Sequence, residues 1–311
     1  MVENPVLFIT FARPEYARKS WDAIKAAKPK NLYFYSNKGR KEKEGEVERN
    51  NEIRAYVKEI DWECNLHTWF RDTTVNVYES LYGAISWLFE NEEQGIILEE
   101  DCVASLAFFD YCDQLLPRYK DDYRIWMISG DNYFENESFS SCDYFYSQDM
   151  QIFGWASWRN RWKQVDWEKG LVFDSAFEQN IIEISVRLSR YKILYKRHIK
   201  KIRNFVEETN CWDYVFCNWG LFNNSLSIVP HSNLVENIGL SGTHNTKQKK
   251  NWNNVVVTYK DARYPVSKCP SFIAPNEKYD RLIFEKRLCV HRVMHRVKSK
   301  LIKVIAKAVH S

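Results

Sequence analysis

The sequence predicts an α/β protein built on a doubly wound, mostly parallel sheet, and three observations carry that expectation. Short apolar runs of strand length alternate with longer segments of helical period over the first 130 residues. The runs are continuously apolar, as strands buried on both faces are. A cluster of carboxylates follows one of them directly, where a parallel sheet opens its ligand crevice.

The elements follow in order. Pro5-Val6-Leu7-Phe8-Ile9-Thr10-Phe11 reads as a strand and leads to a helix over about residues 14–27. Asn31-Leu32-Tyr33-Phe34-Tyr35-Ser36, a charged helix near residues 42–59 and the strand Asn65-Leu66-His67-Thr68-Trp69-Phe70 complete a βαβαβ rhythm. A helix over about residues 75–92 carries Val75, Tyr78, Leu81, Tyr82, Ile85 and Leu88 at helical spacing and feeds the strand Gly95-Ile96-Ile97-Leu98. A helix near residues 105–119 and the strand Ile125-Trp126-Met127-Ile128-Ser129 come next, so the first half is expected to be Rossmann-like. The pattern then becomes irregular: strand pieces at residues 144–147 and 152–158, a basic helical region over about residues 175–206, and a last strand at Ser227-Ile228-Val229-Pro230. These elements divide into a main domain over residues 1–250 and an extension over residues 251–311.

Composition adds bounds. The 45% hydrophobic and 28% charged fractions are those of a globular protein of 311 residues. Aromatics reach 15%, with twelve Trp; these fill cores, and flat aromatic faces also suit the apolar face of a pyranose. Eight dispersed cysteines without a CxxC pair suggest neither a zinc site nor a disulfide framework. The N-terminus lacks a basic n-region, and no stretch approaches the roughly 18 apolar residues of a membrane span. A cytoplasmic protein is expected.

The strongest local feature is Glu99-Glu100-Asp101, three carboxylates immediately after a buried strand. Hard oxygen ligands suit Mn²⁺ or Mg²⁺, and such an ion would neutralise a diphosphate. An acidic helix start is the plainer alternative.

The stretch from Gly95 to Tyr111, with its acidic triplet and the apolar and aromatic helix behind it, resembles the metal-binding segment of GT-A glycosyltransferases. It is especially similar to the Golgi β-1,2-N-acetylglucosaminyltransferase family and to bacterial surface-polysaccharide glycosyltransferases. The resemblance implies that Asp101 holds the metal while Glu99 and Glu100, the latter in place of the usual Asp, face the donor's ribose and sugar. It makes Asp213, in Cys211-Trp212-Asp213-Tyr214, the general base that takes the acceptor's hydroxyl proton, with Trp212 as a pocket wall. The segment Phe153-Gly154-Trp155-Ala156-Ser157-Trp158 resembles one lining the site, with Trp155 on the acceptor side together with Asp131. The stretch from Asn237 to His244 resembles a loop that closes over the diphosphate, making Gly239 and Ser241 donor contacts and His244 a further metal ligand. Arg13 and Asn37, at the ends of the first two strands, stand where the family holds the nucleotide.

The resemblance covers about residues 5–245 and implies an inverting, metal-dependent transferase. It would move N-acetylglucosamine or a similar sugar from a UDP-sugar to an oligosaccharide or lipid-linked glycan. A metal-dependent nucleotidyltransferase and a non-catalytic carbohydrate-binding protein are the rival readings, and no nucleic-acid partner is expected. Residues 281–311 carry nine basic residues against Glu285 alone, a net +8 that leaves residues 1–280 at −4 in a chain of +4. Val290, Met294, Val297, Leu301, Ile305 and Ala308 form an apolar stripe beside those charges. A helix lying peripherally on an anionic membrane at the inner face, or one packed on the domain, would both use that pattern.

Overall fold

The computed structural model describes residues 1–134, 137–168, 170, 180, 182–183, 192, 196, 212–239, 257, 259 and 261–287. Eight strands form one sheet. In chain order they are β1 (Val6–Thr10), β2 (Asn31–Ser36), β3 (Asn65–Phe70), β4 (Gln94–Glu99), β6 (Ile125–Ser129), β7 (Tyr144–Ser147), β8 (Trp155–Trp158) and β9 (Leu226–Pro230). Their spatial order is β3-β2-β1-β4-β8-β6-β9-β7. Strands β3, β2, β1 and β4 are mutually parallel, β6 and β9 are parallel to each other, and β8 and β7 run against their neighbours. The α/β, Rossmann-like, mostly parallel sheet expected from the sequence is therefore what forms. Two features lie outside that expectation: the antiparallel insertion of β8 between β4 and β6, and a separate small sheet of β5 (Cys102–Ala104) and β10 (Val235–Asn237).

Strand alternation sorts the core into two layers. Val6, Phe8, Leu32, Phe34, Ile96 and Leu98 pack with the helices α1 (Pro14–Ala27) and α4 (Leu106–Arg118) on one face. Leu7, Ile9, Tyr33, Tyr35 and Ile97 pack with α3 (Val77–Asn91) and α6 (Trp212–Phe222) on the other. Helix starts follow local chemistry. Asn76 accepts from the Glu79 amide at 2.9 Å and begins α3. The helix expected from about residue 42 begins later, as α2 (Glu46–Arg54), because Gly45 takes a left-handed φ of 67° before it. Gly154, at φ 74°, likewise delays β8 to Trp155. Completing the helices are α5 (Arg159–Trp162) and α7 (Glu277–Arg287); the latter buries Tyr279, Ile283 and Phe284, the first two packing with Phe145 and Val229.

Glu59 ties α1 to the turn after α2. It accepts two hydrogen bonds from Arg18 and one from Lys25, each at 2.8 Å, and one from the Trp21 indole at 3.2 Å. The Arg18 hydrogen bonds, with help from Lys25 and Trp21 and against burial, pull its carboxyl down to about 2. A carboxyl whose folded value is depressed contributes stability above its unfolded value and loses it as pH falls toward the folded one. Glu59→Gln is expected to cost about 1 kcal/mol at neutral pH, given the half-open setting of these pairs. Denaturant titrations at pH 7 and pH 3 should show the gap to wild type narrowing at the lower pH.

Candidate active site

The carboxylates stand at the C-terminal end of β4, near the middle of the sheet, with Glu99 in register with Ile9 of β1. Glu99 follows Ile97 by two residues and so shares the face that carries α3 and α6. Burial first, then the charge of Asp101, push the Glu99 carboxyl up to about 8; Arg13 opposes this and Asp213 and Glu100 add to it. Asp213 on α6 therefore belongs to the same electrostatic neighbourhood as the triplet, although 114 residues separate it from Glu99 in the chain.

Glu100 is buried and held from three sides. Its carboxylate accepts from the Phe11 amide at 2.8 Å and from Arg13 Nε at 2.6 Å, and its carbonyl accepts from Ser20 Oγ at 2.9 Å. Burial pushes its carboxyl above the usual range while the Arg13 charge and the Phe11 amide pull the other way. Arg13 Nη2 donates to Asp101 Oδ2 at 2.9 Å. Burial works against the Arg13 charge, yet Glu100 and Asp101 outweigh it and hold the guanidinium above its ordinary range. Proline at the first position of α1 fixes the backbone turn that delivers Arg13 to this place.

On α6, the Trp212 ring is buried and stacks on Trp155 at 5.8 Å and 21°, and it meets Trp162 at 6.0 Å. Trp155 is itself buried and also packs on Phe216 at 5.1 Å. These rings fix the first turn of α6 and with it the half-buried Asp213.

The chain returns to the triplet through β10. The Val235 side chain fills a slot between Gly130 and Gly154: a Cβ on Gly154 would lie 2.8 Å from Val235 Cγ1, and one on Gly130 would overlap Val235 Cγ2. Gly130 donates its amide to the Gly154 carbonyl at 2.8 Å, which closes the slot. Beyond Val235, β10 pairs with β5 in the register Asn237 to Cys102, and the Ile238 amide donates to the Asp101 carbonyl at 2.9 Å. Gly239 then lies directly on Asp101, where a Cβ would overlap Oδ2. Asp131 is buried and accepts from the Phe153 amide at 3.2 Å; burial raises its carboxyl well above the ordinary range. It braces the turn that carries Gly154. Ser241 and His244 lie outside the described residues.

Asn37, expected at the nucleotide, uses its amide to join two loops: it donates to the Val75 carbonyl at 2.9 Å and accepts from the amides of Lys38 and Val75 at 2.9 and 3.2 Å. Beneath it, Asn50 donates to the carbonyls of Phe11 and Asn37, and Arg54 to those of Ser36, Asn37 and Arg71. Sequence reasoning missed these two braces. Their one signal was a helix without an apolar stripe, whose buried polar residues had to serve something other than the core.

The donor set can be tested against a divalent ion. Among the described residues no group of three or more His, Cys, Asp or Glu side chains is arranged to hold a metal. What the site offers is hard oxygen donors close together: Arg13 pairs with Glu100 and Asp101, and Glu99 feels the charges of Asp101 and Asp213. Mg²⁺-like ions commonly take one or two carboxylates and complete their shell with phosphate and water. Asp101 fits an ion bound in that way, and the triplet does not form a cage that would hold one unaided.

No protein-family model and no curated protein matches the sequence. Among solved structures, the chain is similar to HddC from Yersinia pseudotuberculosis at 8% identity and TM-score 0.33, over 52% of this chain and 80% of that one. It is similar to a UDP-glucose pyrophosphorylase complexed with UDP-glucose at 5% identity and TM-score 0.32, over 53% and 79%. It is also similar to the glycosyltransferase GlyE of Streptococcus pneumoniae TIGR4 at 12% identity and TM-score 0.30, over 61% of this chain and 40% of that one.

The slot for Val235 makes a direct prediction. In Gly130→Ala the new methyl would lie 2.9 Å from both the Gly154 carbonyl oxygen and Phe108 Cε2 while displacing Val235. Overpacking of this kind costs about 1–3 kcal/mol. Thermal unfolding should show a lowered midpoint for the variant relative to wild type.

Proposed function

We propose that this chain is a metal-dependent, inverting GT-A glycosyltransferase that moves a sugar such as N-acetylglucosamine from a UDP-sugar to an oligosaccharide or lipid-linked glycan. The observation that carries this reading is the juxtaposition of Glu99-Glu100-Asp101, at the end of the central strand β4, with Asp213 on the first turn of α6. A nucleotide and its diphosphate need cationic and amide groups at the carboxyl ends of the strands, and attack on the anomeric carbon needs a base on the acceptor side. The arrangement supports both roles.

In this reading Asp101 is the carboxylate that holds Mn²⁺ or Mg²⁺, with His244 a further candidate ligand, and Glu99 faces the donor. The ion, when bound, supplies positive charge against the diphosphate leaving group. Asp213 accepts the proton of the acceptor hydroxyl as its oxygen bonds to the anomeric carbon and the bond from that carbon to the diphosphate breaks. Arg13, Asn37, Gly239 and Ser241 are assigned to the donor side, Asn37 through the loop it braces. Glu100 acts through Arg13, and Trp155 through its stack on Trp212, as positioning residues. Asp131 sets the turn behind the acceptor side.

The test is incubation with a panel of nucleotide sugars and Mn²⁺, following nucleoside diphosphate release. Asp101→Asn should abolish metal-dependent donor binding, and Asp213→Asn should lower transfer about 100-fold or more with donor affinity nearly unchanged. No nucleoside diphosphate from the nucleotide sugars, with pyrophosphate released from a nucleoside triphosphate and a sugar 1-phosphate, would replace this reading with a nucleotidyltransferase, and binding of a glycan without any turnover would replace it with a carbohydrate-binding protein.

Attachment to an anionic membrane surface belongs to the same proposal and rests on the charge of residues 281–311. No helix among the described residues is long and apolar enough to cross a membrane. Because Ile283 and Phe284 are buried, the informative truncation comes after Arg287. Sedimentation with anionic vesicles should be lost on that truncation and reversed by high salt in the full chain; equal pelleting of both would reject the attachment.

A further inference from the structure

We infer that Arg13 is a latch on the acidic site: without donor its guanidinium holds Asp101, and a divalent ion gains that carboxylate only as a diphosphate takes the guanidinium over. The inference rests on the proposed function above and concerns how its two charged ligands depend on each other.

The two contacts of Arg13 are unequal in their freedom. Nε binds Glu100 Oε1 at 2.6 Å, and Glu100, whose side chain is 5% exposed, is fixed in turn by the Phe11 amide and Ser20. Nη2 binds Asp101 Oδ2 at 2.9 Å, at the more open end of the cluster, where the Asp101 side chain is 14% exposed. The guanidinium also lies over the Tyr16 ring at 5.2 Å. Loss of the Asp101 contact therefore leaves Arg13 anchored at Glu100 and in place beside the crevice.

Charge supplies the coupling. A divalent ion on Asp101 and a guanidinium on the same carboxylate repel each other in a buried setting where screening is weak. A diphosphate relieves this, because its oxygens accept from the planar guanidinium and bind the ion as well. Gly239 lies close to Asp101 Oδ2, the same oxygen that Arg13 holds, so ion, guanidinium and backbone share a small space there. Ion and nucleotide should thus bind with positive cooperativity, and by linkage each strengthens the other by the same factor.

The measurement is Mn²⁺ binding by electron paramagnetic resonance, with and without UDP, on the full chain. Wild type should bind Mn²⁺ weakly alone and at least about tenfold more tightly with UDP. Arg13→Gln should bind Mn²⁺ alone about tenfold more tightly than wild type, with the UDP enhancement reduced. Arg13→Lys keeps a charge for buried Glu100 but lacks the fork to reach both carboxylates, so it should behave in the same direction if the glutamine variant does not fold. Donor-free Mn²⁺ affinity unchanged in the folded variants would overturn the latch. Failure of wild type to bind Mn²⁺ even with UDP would instead remove the metal-dependent reading beneath it.

Discussion

The structure depends on how it buries negative charge at the end of its central strand. Three consecutive carboxylates following β4 lie within a sheet covered on both faces, and an unpaired charge there would be costly. One cation is brought to them, and bringing it shapes the N-terminal region. Arg13 arrives on the turn that starts α1, Pro14 fixes that turn, and Ser20 on the same helix hydrogen-bonds to the Glu100 carbonyl. The docking of α1 on the sheet and the neutralisation of the triplet are one arrangement. A change that moved α1 would uncover Glu100, and one that removed Glu100 would leave Arg13 without its shorter carboxylate contact.

The opposite side of the site is built from residues far along the chain, and a steric device brings them there. Two glycines without side chains, Gly130 after β6 and Gly154 before β8, leave a slot that Val235 fills. Asp131 and Asn132 hold the walls: the first accepts from the Phe153 amide, and the second donates its backbone amide to Asn233 Oδ1 and its side-chain amide to the carbonyls of Pro230 and His231. Pairing of β10 with β5 then sets Gly239 on Asp101. This wall of the site is therefore built of backbone and small residues.

Much of this was legible in the sequence because burial on both faces writes itself into a strand. β1, β2, β4 and β6 are continuous apolar runs, and the carboxylates after β4 mark the crevice by their place alone. The antiparallel strand β8 was found as a strand, yet its insertion between β4 and β6 was not, since pairing partners leave no trace in local periodicity. Strands β5 and β10 are three residues each, too short to carry any period. The pairing of Arg13 with Glu100 and Asp101 spans almost ninety residues, and Arg13 was singled out for a nucleotide while its carboxylate partners went unnoticed. Asn37 presents the converse case: its place at a strand end suggested a ligand, whereas its amide is spent on Lys38 and Val75.

The start of the C-terminal extension packs on the sheet. Read by charge, residues 281–311 are a basic segment set apart from an acidic domain. Yet α7 is fastened to that domain by buried polar contacts as well as by its rings. Asp280 accepts from Ser147 Oγ at 2.6 Å and from the Gln148 amide at 3.1 Å, and the Tyr279 hydroxyl accepts from Gln151 at 2.6 Å. Lys286 lies against the rings of Tyr133 and Phe134 at 5.6 and 5.4 Å, and burial lowers its pKa. Buried hydrogen bonds of this kind fix register as well as proximity, so α7 cannot slide or turn on the sheet edge. The helix is thereby held against β7, the strand at the end of the sheet.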